Sequence, residues 1–173
     1  MEERTTMNIP VIALRGLTVF PDLTLSFDVE REISIYALDS AMEGDRTIFL
    51  VTQREIATTA PTEEDLYTVG TVCRILQILK TSETSVRVIV EGQQRARIHR
   101  LWQNKPFLQA NVELLEEDFP GRMTPRMEAL IRQTYVIFGE YKELVPNLTD
   151  DFVSAVLDCR DPGRLADFIA QLS

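Results

Sequence analysis

The chain has 173 residues and a formal net charge of −9 at pH 7, and 45% of its residues are hydrophobic. This composition is ordinary for a globular protein, and the length suits one domain or two small ones. The acidic balance argues against nucleic acid as a partner, because contact with a phosphate backbone needs a basic patch.

The N-terminus and the cysteines bear on the cellular compartment. No apolar run reaches the roughly 20 residues of a membrane span. The first ten residues, MEERTTMNIP, carry acids and no hydrophobic segment, unlike a signal peptide or a mitochondrial presequence. Cys73 and Cys159 lie far apart in apolar runs, which is typical of buried thiols in a reducing compartment, although a disulfide between them stays open. We therefore expect a cytoplasmic protein without membrane contact.

The first two-thirds of the chain predict a sheet with one helix. Alternating or short branched apolar runs predict strands at residues 9–14, 23–29, 46–52 and 107–115. Between the second and the third strand, residues 30–43 change to helical spacing, and Gly44 follows as a helix stop.

The longest β-prone stretch, residues 69–98, predicts a hairpin around which the sheet is built. Its two apolar arms flank a polar run at residues 81–85. Each arm contains a glycine, Gly70 or Gly92, and an isolated glycine in a strand marks a bulge or a close backbone approach. Because bulged long strands curl a small sheet, we expect a compact curled sheet.

The composition changes at residues 116–124, where acidic residues, Pro120 and Gly121 indicate a domain boundary. We predict a β-rich domain at residues 1–118 and a helical domain at residues 119–173, joined by a flexible linker.

Three helices are predicted after this boundary. Thr149 caps the second helix, and Asp161 followed by Pro162 begins the third. The first has an apolar stripe with three-four spacing, formed by Met127, Leu130, Ile131, Thr134, Ile137, Phe138 and Tyr141. A similar stripe still runs at Ser173, so we expect the helical domain to be truncated.

Little in the sequence indicates catalysis. His99 is the only histidine, and a catalytic Ser–His pair needs an orienting acid that the sequence does not place. Beside Arg97 and Arg100, a surface or strand-end histidine is the simpler interpretation. One histidine and two isolated cysteines do not make a typical zinc set, and no GxxxxGK[ST], GxGxxG or GxSxG motif is present. We predict no catalytic, cofactor-binding or metal-binding residue.

Residues 15–21 contain an apolar group, Leu17, Val19, Phe20 and Pro21, between two predicted strands. Two interpretations stay open for this group. It is either a loop folded back on the sheet or an exposed binding surface.

Four stretches, in order between about residues 9 and 115, resemble the N-terminal domain of ATP-dependent Lon proteases. They are IPVIALRGLTVFP, VEREISIYALDSAM, EDLYTVGTVCRILQ and VIVEGQQRARI. The later stretch DCRDPGRLADFIA is similar to the segment that follows in that family. Ser26 stands where the family often has proline and Glu30 where it often has glycine, which bears on the local shape before the first helix and not on the fold.

The resemblance implies an α+β fold, with a β-rich, PUA-like curled sheet or pseudo-barrel carrying one helix, followed by a C-terminal α-helical bundle. It also implies a role in substrate recognition and hexamer assembly for an ATP-dependent Lon serine protease that degrades misfolded and regulatory proteins. In that family an ATPase module, expected to bind ATP and Mg, and a protease with a Ser–Lys dyad come later. This chain is therefore expected to be a non-catalytic N-terminal fragment.

The implied partners are unfolded or tagged protein substrates and further copies of the chain in a hexamer. The candidate contact residues are Arg15, Leu17, Phe20, Pro21, Arg31 and Glu32. Two other functions remain: a stand-alone Lon-like domain that acts as an adaptor or binds a small ligand, and an independent hydrolase that uses His99.

Overall fold

The computed structural model describes residues 5–117 and 121–172. The chain divides into two compact units, Met1–Glu116 and Glu117–Ser173, called here the sheet unit and the helical unit. Asp118 and Pro120 lie outside the described residues, so the predicted boundary after residue 118 and the predicted linker stay predictions.

The described part of the sheet unit contains six strands, one α-helix and a short 3-10 helix at Glu63–Asp65. In chain order the elements are β1 (Thr6–Leu14), β2 (Thr24–Val29), α1 (Glu32–Glu43), β3 (Thr47–Thr52), β4 (Val69–Lys80), β5 (Val86–Gln103) and β6 (Leu108–Leu114). The mixed, sheet-rich fold expected from the sequence is confirmed.

The sheet closes on itself through β5. The strand order is β2-β5-β4-β3-β1-β6, and β6 also pairs with β5. The first part of β5, up to Glu91, pairs with β2, and its last part, from Ala96, pairs with β6. Only β1 and β3 run parallel among the paired strands described. One long strand therefore serves two partners in succession, which curls the sheet as the sequence predicted.

Two buried clusters lie on alternate residues of the strands, as the two-residue period of a strand requires. The first cluster packs the strands against α1 and β2, and the second draws side chains from all five strands of the closed part of the sheet. In β3 the members alternate strictly: Ile48 and Leu50 belong to the first cluster, whereas Phe49 and Val51 belong to the second.

The glycine in each hairpin arm permits a close approach, as expected. A Cβ on Gly70 would lie 2.5 Å from the carbonyl oxygen of Leu50, and one on Gly92 would overlap the carbonyl oxygen of Phe20. Gly92 also binds the incoming segment by its main chain, since Asp22 N donates to Gly92 O at 2.8 Å and Gly92 N donates to Leu23 O at 2.9 Å. The register between β4 and β5 shifts beside Gly92.

The helical unit contains α2 (Pro125–Leu144), α3 (Asp150–Asp158) and α4 (Pro162–Ala170). The predicted caps are present, because Thr149 accepts from Phe152 N at 3.3 Å and Asp161 accepts from Arg164 N at 2.7 Å. None of the helices in the described ranges combines the length and the apolar character needed to cross a membrane.

The apolar stripe of α2 differs from the prediction. Of its seven predicted members only Phe138 is buried, at 2% exposure, whereas Leu130 and Ile137 are more than half exposed. The three-four spacing was read correctly as a helix, but in the described residues neither α3 nor α4 covers the whole stripe.

Candidate functional site

A cleft of about 630 Å³ opens in the sheet unit, and five separate parts of the chain form it. They are the start of α1 with the residue before it, the loop at residues 59–63, the end of β5 with the turn after it, and the two strands β1 and β6 of the floor. Val11 and Ala13 of β1 and Leu108 of β6 line the floor, and all three belong to the second buried cluster. The floor is therefore apolar but closely packed, with each of these side chains at most 3% exposed, and the accessible apolar surface of the cleft lies on its walls, which include Trp102.

Trp102 lines the cleft at the end of β5 and is 47% exposed. The neighbouring turn is fixed by hydrogen bonds, since Gln103 Nε2 donates to Phe107 O at 3.0 Å and Gln109 Nε2 donates to Gln103 Oε1 at 3.3 Å. A half-exposed aromatic ring on a fixed backbone can bury a large area against a partner at little entropic cost.

Arg31 comes immediately before α1 and lines the same cleft. Its guanidinium donates from Nη1 to Gln53 Oε1 at 2.8 Å and from Nη2 to the carbonyl oxygen of Ala13. Gln53 is 2% exposed, and its own amide donates to the carbonyl oxygens of Glu55 and Thr58. Arg31 is therefore held by a buried hydrogen-bonded chain.

Charge at the cleft is predominantly positive. Burial lowers the pKa of Arg31, and the nearby Arg15 lowers it further, but an arginine in a protein still carries its charge at neutral pH. Lys105 also lines the cleft. Glu63 is the one acidic side chain among the lining residues of the described chain, and its carboxylate accepts from Leu101 N at 2.6 Å.

The structure brings two of the six predicted contact residues together. Arg15 Nη2 donates to Thr58 O at 3.4 Å, and Arg31 reaches the same segment through Gln53. Glu32 is exposed outside the cleft lining and accepts from the hydroxyl of Tyr36 at 2.7 Å.

The predicted loop at residues 15–21 lies largely against the sheet. Val19 and Pro21 are buried, and Val19 O accepts from the buried hydroxyl of Thr71 at 2.6 Å. Leu17 and Phe20 are half-buried, and Leu17 packs against the first cluster. Of the two interpretations left open, the folded-back loop describes Val19 and Pro21, whereas Arg15 remains exposed.

Sequence reasoning missed most of the cleft. Its walls come from Thr59–Glu63 and Leu101–Lys105, which share no motif and are distant in sequence. The available signal was Trp102, the only tryptophan of the chain, followed by the polar residues Gln103, Asn104 and Lys105.

His99 lies on β5 outside the cleft lining, with Nε2 3.1 Å from Glu113 Oε2. The described residues contain no group of three or more histidine, cysteine, aspartate or glutamate side chains that could hold a metal ion. Burial raises the pKa of the Cys73 thiol to about 12, so this thiol stays protonated and is a poor nucleophile at neutral pH.

A second candidate surface lies in the helical unit. Two apolar grooves of about 450 and 380 Å³ run between α2 and α4 and share Thr134 and Ile169. Among the described residues no charged side chain lines either groove. Such a surface can bury apolar groups, and among the described residues its polar side-chain groups are the hydroxyls of Thr134 and Tyr141, which carry no charge to orient an ionic group.

The sequence profile described as the ATP-dependent protease La (LON) substrate-binding domain matches residues 8–173. The chain belongs to this Lon family. It is 40% identical to the Lon protease of Desulforamulus reducens over 163 residues, which are 94% of this chain and 20% of that protein. Lon protease 1 of Bacillus subtilis is 36% identical over 170 residues, 98% of this chain and 22% of that protein. The Lon protease of Escherichia coli K12 is 40% identical over 169 residues, 98% of this chain and 21% of that protein.

Two solved structures share the fold of the Lon domain described here. The N-terminal domain of the Mycobacterium avium complex Lon protease aligns with a TM-score of 0.71 at 18% identity, over 93% of this chain and 80% of that one. A Lon N-terminal domain protein from Xanthomonas campestris aligns with a TM-score of 0.57 at 16% identity, over 95% of this chain and 98% of that one. The chain spans about a fifth of the length of the three Lon relatives above.

Proposed function

We propose that this chain is the substrate-recognition and hexamer-assembly module of a cytoplasmic, ATP-dependent Lon serine protease that degrades misfolded and regulatory proteins. The ATPase module, with ATP and Mg, and the Ser–Lys protease would lie in the rest of a longer protein. The proposal includes a PUA-like assignment for the sheet unit and a bundle for the helices. Membership of the family supports the general role, and the cleft supports the position of substrate binding.

The observation that carries the proposal is the cleft, in which an apolar floor and an exposed tryptophan lie beside fixed cations. A protease that accepts many substrates cannot depend on one sequence. It needs apolar surface for exposed core side chains and polar groups for main chain and termini. Each contact is weak, so we expect micromolar or poorer affinity for one copy and a gain through avidity in an oligomer.

The experiment measures binding of a labelled, permanently unfolded test protein by fluorescence anisotropy. Trp102→Ala should weaken binding about tenfold, because truncating a central aromatic contact typically costs at least about 1–2 kcal/mol. Tyr67→Ala is the matched control, since Tyr67 is an aromatic residue of the same unit, 48% exposed and outside the cleft lining. Equal affinity of Trp102→Ala and wild type would exclude the cleft as the main contact.

Two further variants test the residues predicted from the sequence. Phe20→Ser probes the loop at residues 15–21, and Arg31→Glu reverses the charge in the cleft. Circular dichroism must first show that both fold, because Phe20 is half-buried and Arg31 is tied to Gln53. Weaker binding by folded Phe20→Ser alone would place the contact on the loop. A third variant, Ile137→Ser, tests the helical unit, and weaker binding by this variant would place the contact on its grooves.

Self-association is tested by sedimentation velocity of the purified chain over a range of micromolar concentrations. Assembly through this module predicts a concentration-dependent shift to larger species. A monomer at all concentrations would assign hexamer assembly to other parts of the protein.

The alternative role, a stand-alone Lon-like adaptor or small-ligand module, has one observation in its favour. The volume of the cleft falls within the roughly 300–1,000 Å³ usual for small-molecule sites. A P-loop in the same reading frame after Ser173 would favour the protease module. Binding of a small metabolite that the unfolded test protein does not displace would favour the alternative.

We expect neither ATP hydrolysis nor proteolysis from the 173-residue chain, because the sequence has no P-loop and no recognisable nucleophile–base pair. ATPase and casein-degradation assays check this expectation. Turnover above background that disappears in His99→Ala would establish the hydrolase alternative instead.

We also propose that residues 1–118 and 119–173 are separate domains with a flexible connection. Limited proteolysis should then cut first between residues 116 and 126, since proteases attack exposed flexible segments. First cleavage within the hairpin at residues 69–98 would show that this division is wrong.

A further inference from the structure

Arg31 is a partly buried cation whose charge is not balanced by a carboxylate among the described residues. Both of its acceptors are neutral, the side-chain oxygen of Gln53 and the main-chain oxygen of Ala13. The charged group that does affect it is another cation, Arg15. A guanidinium has five N–H donors, so these two hydrogen bonds leave donors for a ligand. Arg31 therefore has unused donors at the cleft, which suit an anionic group.

The apolar floor lies directly beside this cation. Ala13 is both an acceptor of the guanidinium and a floor residue of the cleft. A ligand that uses both features must therefore carry its anionic group and its apolar group next to each other. Lys105 lines the same cleft, so a second cation is available to the same anion.

A C-terminal residue has this arrangement, because its carboxylate and its side chain are bonded to the same carbon. An internal aspartate or glutamate meets the requirement less well. Its apolar neighbours in an extended chain point to the opposite face, and the chain must continue in both directions. The remaining N–H donors of Arg31 can form charge-assisted hydrogen bonds with such a carboxylate.

We propose that the cleft binds the free C-terminal end of an unfolded polypeptide, with the terminal carboxylate at Arg31 and an apolar last side chain on the floor beside Trp102. This inference rests on the proposed function and specifies its substrate: chain ends with an apolar last residue bind better than internal segments.

The single tryptophan of the chain makes the test direct, because Trp102 lines the cleft and its emission reports an occupant. Four peptides of equal length are titrated into the wild-type chain. The first ends in leucine with a free carboxylate, the second is its C-terminal amide, the third replaces leucine by serine with a free carboxylate, and the fourth is an amide with an internal glutamate. The first should bind at least about tenfold more tightly than each of the others, since a charge-assisted hydrogen bond or a buried leucine has about this effect.

Equal affinity for the acid and the amide would overturn the inference, as would equal affinity for the internal-glutamate peptide. The absence of any binding by the leucine peptide would overturn it as well. The proposed function has a different criterion, the loss of unfolded-protein binding in Trp102→Ala. That loss, combined with equal affinity for acid and amide, would leave the proposed function standing and remove only the preference for a chain end.

Variants then assign the carboxylate to Arg31. Arg31→Gln should abolish the preference for acid over amide, because it removes the cation. The ratio of the two affinities is the readout, since this variant also removes the hydrogen bonds to Gln53 and Ala13. A purely structural role would weaken both peptides equally and would overturn the assignment. Arg97→Gln is the matched control, an exposed arginine on β5 outside the cleft lining. Lys105→Gln, at an exposed position, provides a second variant that does not disturb Gln53, and it should reduce the preference about threefold.

Discussion

The two units of this Lon domain differ in how much apolar surface they bury. The sheet unit contains two clusters with fully buried members such as Phe49 and Ile48, whereas few helical-unit side chains are buried. In α2, Val136 is 64% exposed and Leu144 is 81% exposed. The comparison indicates that the core of the sheet unit can hold a rigid binding cleft, while the helices depend on their caps and on a small core.

The largest loss of stability is expected at Gly92, where the sheet unit has no room for an added carbon atom. Gly92→Ala should destabilise the sheet unit by at least about 2 kcal/mol, because the new Cβ meets main-chain atoms of Phe20, which cannot rotate away. Urea unfolding followed by Trp102 emission measures this change. Gly121→Ala is the control, since nothing lies within 4 Å of its added Cβ, and it should change the stability by less than about 0.5 kcal/mol. A Gly92→Ala protein as stable as wild type would contradict the close packing of this loop.

The two cysteines report local opening in the two units separately. Cys73 is fully buried in the first cluster and Cys159 lies in the helical unit, and burial raises the pKa of both thiols. Thiol-labelling reagents attack the thiolate, and burial disfavours this form and blocks access to it. Each cysteine should therefore react mainly after its unit opens. We expect Cys159 to be labelled at least about tenfold faster than Cys73, because a unit with fewer buried contacts opens more often. Mass spectrometry of timed samples measures the two rates, with Cys73→Ser and Cys159→Ser as single-site references; faster labelling of Cys73 would reverse the comparison.

The smallest predicted change in stability is in the helical unit. Gly139 lies within α2, and nothing lies within 4 Å of a Cβ added there. Gly139→Ala should stabilise the helical unit by about 0.5–1 kcal/mol, since alanine has the higher helix propensity. Thermal unfolding followed by far-ultraviolet circular dichroism detects this gain. A loss of stability would mean that this face of α2 is more tightly packed than the structure indicates.

Local sequence patterns predicted most of the strands and helices, because side-chain alternation and helix caps depend on residues close together in the chain. Side-chain alternation located β2 and β6 within one residue, and the polar caps Thr149 and Asp161 located the starts of α3 and α4. The end of β5 was missed: the predicted hairpin stopped at Ile98, but the strand continues to Gln103. Its last residues pair with β6, a partner formed later in the chain, and their own pattern is largely polar.

The candidate site was less predictable for the same reason. Arg31 was identified from its motif, but its partner Gln53 and the floor residue Leu108 are distant in sequence and meet only when the sheet closes. The exposure of residues 15–21 depends on Gly92, which allows Phe20 to approach β5. The apolar composition of that segment is compatible with either a packed loop or a binding surface.

The central claim is that substrate binds in the cleft of the sheet unit. Amide hydrogen exchange, measured by mass spectrometry with and without a saturating unfolded test protein, examines both units in one experiment. The account predicts slowed exchange at residues 59–63 and 101–105 and at the start of α1, with little change in α2 and α4. Slowed exchange confined to α2 and α4, or to residues 15–21, would contradict it.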